Sequence, residues 1–212
     1  MAKPGFNIET FNAFLRDTGV LKSSKFLVRF TIPPGLFGLV GVASTMQRLE
    51  FYCSDAKLPG IQLQTHDISR YGYGVRERKP GNPTYQEIPF GFIGDGDGSI
   101  WRFFQMWLSM INNTDMRSGI LKPGVTASQH EPFEVSYKYE YAVDMDIIAY
   151  DEVGTEKIHI TLREAFPFAL GSIDLSWSAH NQVMVIPVAF AYTDWYDSLR
   201  PTQEFNTTSV FN

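Results

Sequence analysis

The chain has 212 residues, 44% of them hydrophobic, which suits one ordinary globular core and excludes a disordered polymer. Its net charge of −5 excludes a surface built to grip nucleic acid, which needs surplus Lys and Arg to neutralise phosphates. A single cysteine, Cys53, excludes an intrachain disulfide and a multi-cysteine metal site.

Aromatic residues reach 15%, a content that suits half-buried pleated surfaces and protein–protein contacts alike. The opening MAKPGFNIETFNAF has no long apolar run and no small-residue cleavage site, so no secretory signal is expected. The longest weakly apolar stretch, 36–45, is interrupted by glycine and too short to span a bilayer. The expectation is a soluble protein, with no membrane insertion, at ease in a reducing compartment.

Residues 7–17 predict a short helix, with Asn7 as cap, Ile8, Phe11 and Leu15 on one stripe, and Gly19 as the stop. It belongs to an N-terminal arm over 1–24. Residues 25–32 alternate, with Phe26, Val28, Phe30 and Ile32 on one face, and predict a strand ended by Pro33-Pro34. The glycine-rich connection 33–48 has no defined shape, and 49–57 predicts a second strand ended at Leu58-Pro59-Gly60.

From 61 to 93 the chain reads as a long hairpin. Its tip, over 67–84, holds Tyr71-Gly72-Tyr73-Gly74, the run Arg76-Glu77-Arg78-Lys79 and a turn at Pro80-Gly81-Asn82-Pro83; a strand resumes over 85–93. The strongest helical pattern is 99–112, where Ile100, Phe103, Phe104, Trp107, Leu108 and Ile111 repeat at three- and four-residue spacing and predict a face packed on a sheet. Ser99 or Asp97 is the expected cap.

After a loop over 113–132, Val135, Tyr137, Tyr139, Tyr141, Val143, Met145 and Ile147 alternate with Glu134, Ser136, Lys138, Glu140, Asp144 and Asp146, which predicts one long strand. Gly154 turns the chain back into 157–163, with Ile158, Ile160 and Leu162 inward. Residues 173–178 and 183–192 predict another strand pair around a turn at Ala179-His180-Asn181, and a polar tail occupies 199–212. No repeat or linker interrupts the chain, so the reading is one mainly β domain with one packed α-helix.

Chemical motifs point to no reaction. Gly94-Asp95-Gly96-Asp97-Gly98 looks like a calcium loop, but Trp101 and Phe103 stand where later oxygen ligands belong, which leaves a turn capping a helix. His66, His130, His159 and His180 are isolated, and Cys53 in Phe51-Tyr52-Cys53-Ser54 reads as a small buried hydrophobe. No phosphate loop or nucleophile elbow is present, so no catalytic, cofactor-binding or metal-binding residue is assigned and no enzyme is expected.

In order and hydrophobic pattern, the chain resembles the tail tube proteins of contractile-tailed bacteriophages, a family related in fold to type VI secretion tubes. The resemblance runs from about Phe11 to Tyr196. It rests on the N-terminal helix entering 25–32, the Ala56-Lys57-Leu58-Pro59-Gly60 corner before the hairpin, and the helix holding Trp107. It continues through Phe166-Pro167-Phe168-Ala169-Leu170-Gly171, similar to an aromatic-proline corner, then Leu175-Ser176-Trp177-Ser178 and Asn181-Gln182-Val183, to the strand ending Ala191-Tyr192-Thr193-Asp194-Trp195-Tyr196. Residues 33–48 and 199–212 depart from the compact family pattern.

The resemblance implies a tail-tube-like antiparallel β-barrel or sandwich that completes a continuous barrel in a hexameric ring. Rings would stack head to tail as a conduit for genome ejection. The implied partners are further copies of the chain, sheath subunits outside, baseplate and tail-terminator proteins at the ends, and tape-measure protein and DNA transiently in the lumen. The implied location is the virion tail tube, assembled in the host bacterial cytoplasm. Alternatives are a baseplate-proximal tube initiator, a secretion-system tube subunit or, in a different class, a carbohydrate-binding β-sandwich with Tyr71 and Tyr73 as stacking platforms.

Charge adds candidate contacts. Segment 67–84 carries Arg70, Arg76, Arg78 and Lys79 against Asp67 and Glu77, a net +2, whereas 134–156 carries seven acids against Lys138, a net −6. With Tyr71 and Tyr73, the four basic residues are the ring-stacking candidates, and complementary charge of this kind fixes register and polarity. Glu134, Glu140, Asp144 and Asp146 are candidates either for the acceptor face or for an acidic lumen that repels phosphates.

Overall fold

The computed structural model describes residues 8–37, 41–69, 72, 74–112, 135–178 and 182–199. The described chain runs α1 (Ile8–Thr18), β1 (Phe26–Phe30), a 3₁₀ turn (Pro34–Leu36), α2 (Val42–Tyr52), β2 (Cys53–Asp55), β3 (Ile61–Ile68), β4 (Glu77–Tyr85), β5 (Ile88–Ile93) and α3 (Ser99–Ile111). It continues as α4 (Lys138–Tyr141), β6 (Val143–Tyr150), β7 (Glu156–Leu170), β8 (Val185–Ala191) and β9 (Asp194–Asp197). Seven strands form one antiparallel, nearly closed barrel-like sheet in the order β1-β6-β7-β8-β5-β2, with β9 beside β7; β3 and β4 form a separate two-stranded ribbon.

The long strand β7 makes the sheet curl. Its first part lies between β6 and β9, while its last part, from Phe166, pairs with β8. The change of partner follows a bulge: Val143 faces Ala165 and Met145 faces Leu162, so two β7 residues oppose one β6 residue. Within it Glu164 adopts φ +53°, a left-handed conformation uncommon outside glycine. Its N–H donates to Asp144 Oδ1 at 3.0 Å, its carboxylate accepts Lys138 Nζ and Thr193 Oγ1, and the Thr193 N–H donates to Arg163 O at 3.0 Å. Hydrogen bonds from Lys138 first and Thr193 second hold the Glu164 carboxyl below the usual range. Of the aromatic-proline segment 166–171, Phe166 to Leu170 form the end of β7, with a second register shift between Pro167 and Ala169.

The enclosed face of the sheet is filled by α3. Ile100, Phe103, Phe104, Trp107 and Met110 are buried, with Leu108 and Ile111 half-buried beside them. Helical spacing puts these residues on one stripe, where Phe104 meets Phe92 at 4.9 Å and Trp107 meets Phe30 at 5.7 Å and Phe190 at 5.9 Å, distances suited to offset aromatic packing. Trp107 Nε1–H donates to Tyr141 O at 2.9 Å, which satisfies the one polar atom of the largest buried side chain. The N-cap position of α3 is Gly98, and the capping side chain is that of Asp95, not Asp97 or Ser99: its Oδ1 accepts the Ile100 N–H at 3.2 Å and its Oδ2 accepts the Ser99 hydroxyl.

Several sequence expectations are corrected. Residues 42–52 form a second packed helix, so the fold holds more than one, and the strand expected over 49–57 shrinks to Cys53–Asp55. Val42, Thr45 and Leu49 are buried at helical spacing, after Gly41 at φ 88°, whose carbonyl accepts the Ser44 and Thr45 hydroxyls. The long strand expected from 134 is broken by α4; Val143, Met145 and Ile147 of its apolar face are buried, and Tyr141 packs half-buried against the core. Tyr137 and Tyr139 instead stack on each other, exposed, with centroids 5.8 Å apart. Residues 173–178 form no strand; β8 takes β5 and β7 as partners. The expected turn at 179–181, the cap Asn7 and the 199–212 tail beyond Leu199 lie outside the described residues.

The Asp95 side chain is only 3% exposed, and its environment makes the cap pH-dependent. Burial acts to raise its pKa, but the hydrogen bonds from Ser99 and from the Ile100 N–H outweigh it and hold the carboxyl below the usual range. A lowered pKa gives stability that is present above the ordinary carboxylate value and lost as pH falls through the folded one. Asp95→Ala is expected to lower stability by about 1 kcal/mol at neutral pH, with the gap to wild type narrowing below roughly pH 4; urea titrations at several pH values check both.

Candidate assembly surfaces

The β3–β4 ribbon has no core of its own. All eight residues of β3 are exposed, and the two strands pair with each other but with no strand of the main sheet. Cross-strand register puts Ile61 opposite Tyr85, Leu63 opposite Pro83 and Thr65 opposite Pro80. Side chains alternate along a strand, so Ile61, Leu63, Pro83 and Tyr85 share one face while Gln62, Thr84, His66 and Lys79 share the other. Ile61 and Leu63 are 56% and 52% exposed. The ribbon thus has one apolar face and one amide-rich face, and its roots at Ile61 and Tyr85 lie at the Ile88 end of β5.

The structure shortens the expected tip. Asp67 and 77–84 belong to the strands, and Pro80-Gly81-Asn82-Pro83 is a bulged stretch of β4, not a turn. Proline is tolerated there because a ribbon edge facing water needs no N–H from it. Arg76 is exposed at the start of the returning strand; Arg78 and Lys79 lie on β4, with Arg78 Nε 3.4 Å from Asp67 Oδ1. Arg70, Tyr71 and Tyr73 lie outside the described residues.

The acidic candidates do not form one strand face. Glu134 lies outside the described residues and Glu140 is in α4. Asp144 is held by the Glu164 N–H, while Asp146 accepts the Thr161 hydroxyl at 2.6 Å and lies 3.6 Å from His159 Nε2. In the β6–β7 turn, Asp151 accepts the N–H groups of Val153 and Thr155, and Glu152 pairs with Lys22. The Thr155 N–H first, and Lys157 further, hold Asp151 below the usual carboxylate range; the hydrogen bond from Lys22 does the same for Glu152. The sequence shows the charge of this region but not these local partners.

A second apolar surface went unseen in the sequence. Trp101, Leu170, Ile173, Leu175 and Met184 line a groove of about 700 Å³ with Gly98 and Arg102. Leu175 is 85% exposed and Trp101 38% exposed. The groove lies at the Ile93 end of β5, where Ile93 faces Val185 and the Gly94 N–H donates to Met184 O at 2.8 Å. Its walls come from 98–102, 170–175 and Met184, too far apart in sequence for periodicity to join them. Among the described residues, no cluster of His, Cys, Asp and Glu could hold a metal ion, and no helix is long and apolar enough to cross a membrane.

Comparison with known proteins agrees with this architecture. The chain is similar to one in the cryo-EM structure of the anti-feeding prophage baseplate, with 12% identity, TM-score 0.55, and 85% of this chain and 96% of that chain covered. It is also similar to a chain in the sheath–tube complex of an extracellular contractile injection system, with 14% identity, TM-score 0.49, and 87% and 95% covered. An Hcp protein is a more distant likeness, at 8% identity and TM-score 0.35, with 79% and 88% covered. No curated protein matches the chain. The profile of the phage tail tube protein family matches residues 21–198, nearly all of the barrel, the ribbon and the packed helix. The chain therefore belongs to the phage tail tube protein family and is a structural subunit of a tail tube.

Proposed function

We propose that the subunit assembles into six-membered rings that stack head to tail as the inner conduit of a contractile phage tail. The observation that carries this reading is the family match over 21–198, joined to a ribbon that exposes an apolar face and carries Arg76, Arg78 and Lys79 on or beside its returning strand. A two-stranded ribbon is at best marginally stable in water and needs another surface to pack on. Open sheet edges at β1 and β2 likewise favour pairing with neighbours, and a head-to-tail interface that closes makes a ring. The similar baseplate chain comes from a 6-fold symmetrised assembly, which supports six copies per ring.

In this reading the ribbon, with Arg70, Tyr71, Tyr73, Arg76, Arg78 and Lys79, reaches the adjacent ring. Sheath subunits lie outside, and baseplate and terminator proteins close the ends. The tape-measure protein and then DNA occupy the lumen, where Glu140, Asp144 and Asp146 are the described candidates for a phosphate-repelling wall. The protein is a virion component assembled in the host cytoplasm, and its role is mechanical rather than enzymatic.

Negative-stain microscopy of concentrated protein should show rings or hollow rods; particles that stay single under every salt and concentration condition would defeat the proposal. The double variant Arg76→Glu/Arg78→Glu should keep the wild-type circular dichroism, because the Arg78–Asp67 pair is exposed and contributes at most about 1 kcal/mol. It should form rods poorly, and normal rods from it would remove the basic residues from the stacking role.

A further inference from the structure

The groove at the Ile93 end of β5 has two kinds of unmet bonding capacity. One is in its side chains. The lining is largely apolar, and Arg102 is its one charged residue. Among the described residues the Arg102 guanidinium has no carboxylate partner and no hydrogen bond. The other is in the backbone. Gly171 N–H still donates to Pro187 O at 2.8 Å, but the main-chain groups of Ser172, Ile173, Asp174 and Leu175 pair with nothing among the described residues. None of these four is proline, so each keeps both an N–H donor and a carbonyl acceptor to offer.

We propose that the groove binds an extended segment of a partner protein that carries apolar side chains beside a carboxylate. The main chain of the segment pairs with 172–175, as a peptide adds to a free strand edge. Its apolar side chains enter between Trp101, Leu175 and Met184, and its Asp or Glu meets the fork of Arg102. This goes beyond the tail tube reading and does not depend on how many copies make a ring.

Geometry and charge together choose this occupant. Four residues of unpaired backbone reach at most about 14 Å, enough to match an extended tetrapeptide. A helix cannot use them, because its own main-chain groups are spent internally. The volume of about 700 Å³ lies in the range of ligand clefts and holds several side chains rather than one. Leu175 and Trp101 have exposed apolar area to lose on contact. Covering them also desolvates Arg102, and a guanidinium taken from water without an anion is costly. The ribbon of the chain itself is unsuited, since 67–84 carries four basic residues against two acids, and Pro80 and Pro83 remove N–H groups from β4. Nucleic acid is unsuited too, because one arginine in an apolar cleft neutralises a single phosphate.

The test uses the full-length chain, kept below the concentration at which rods form, and fluorescein-labelled octapeptide pools read by fluorescence polarisation. In the first pool Leu, Ile, Val or Phe alternates with Ser or Thr around one central Glu. Matched pools carry Gln or Lys at that place, and a fourth repeats the first with an N-methylated backbone. The Glu pool is expected to saturate, with the Gln, Lys and N-methylated pools about tenfold weaker or more. Arg102→Glu should turn the preference toward the Lys pool, and Leu175→Ser should weaken binding of the Glu pool. Both side chains are exposed, so both variants should keep the wild-type melting curve, and the comparison of pools on wild type needs neither variant.

The proposal is overturned if no pool saturates by about 1 mM, if Glu and Lys pools bind alike, or if N-methylated peptides bind as well. It is equally overturned by variants that bind as wild type does. Release of bound peptide as rods form gives the groove to a second copy of the chain and overturns it too. Rings and rods are read separately by microscopy, so every one of these outcomes leaves the tube reading intact.

Discussion

The body of this protein is organised by one strand, β7, that belongs to two halves of a sheet. Its partner changes at Glu164, where a left-handed residue and a bulge bend the backbone between Met145 and Val143 on the neighbouring strand. Strain of this kind persists only where surrounding contacts over-determine it. Asp144, Lys138 and Thr193 do so here, from β6, α4 and the β8–β9 link. The bend brings β5 and β8 over the aromatic stripe of α3, so the core around Trp107 and Phe190 depends on a corner made of polar residues. Charged groups near that corner, including Arg163 and Asp194, belong to the architecture as much as to any surface.

The ribbon obeys the opposite logic. Among the described residues nothing covers Ile61 and Leu63, although their strand is regular and well paired. A globular enzyme would fold such residues onto its own core. Here the apolar alternation is directed outward, which fits a subunit whose packing is completed by others. The family membership and this exposed apolar face are independent observations that agree.

The sequence makes some of this legible. The packed helix is plain because six apolar residues repeat over more than three turns, and the Gly154 turn is plain because φ 91° there suits glycine. Elements with mixed signals are less legible. Residues 42–52 hide a helix because Val42, Thr45 and Leu49 supply only a thin stripe, while its last residues, Phe51 and Tyr52, look like strand together with Cys53. The Tyr137–Tyr139 alternation suggests a strand, yet both rings face water and the backbone coils through α4 to hold Trp107. For the assembly surfaces, the basic run at 76–79 is visible as charge. The groove is not, since a concavity made by two remote segments exists only after folding.

The placement of ribbon and groove at opposite ends of β5 has a consequence for termination. A row of subunits that all point the same way displays ribbons at one extremity and open grooves at the other. Directionality is thus written into each building block, before any external template acts on it.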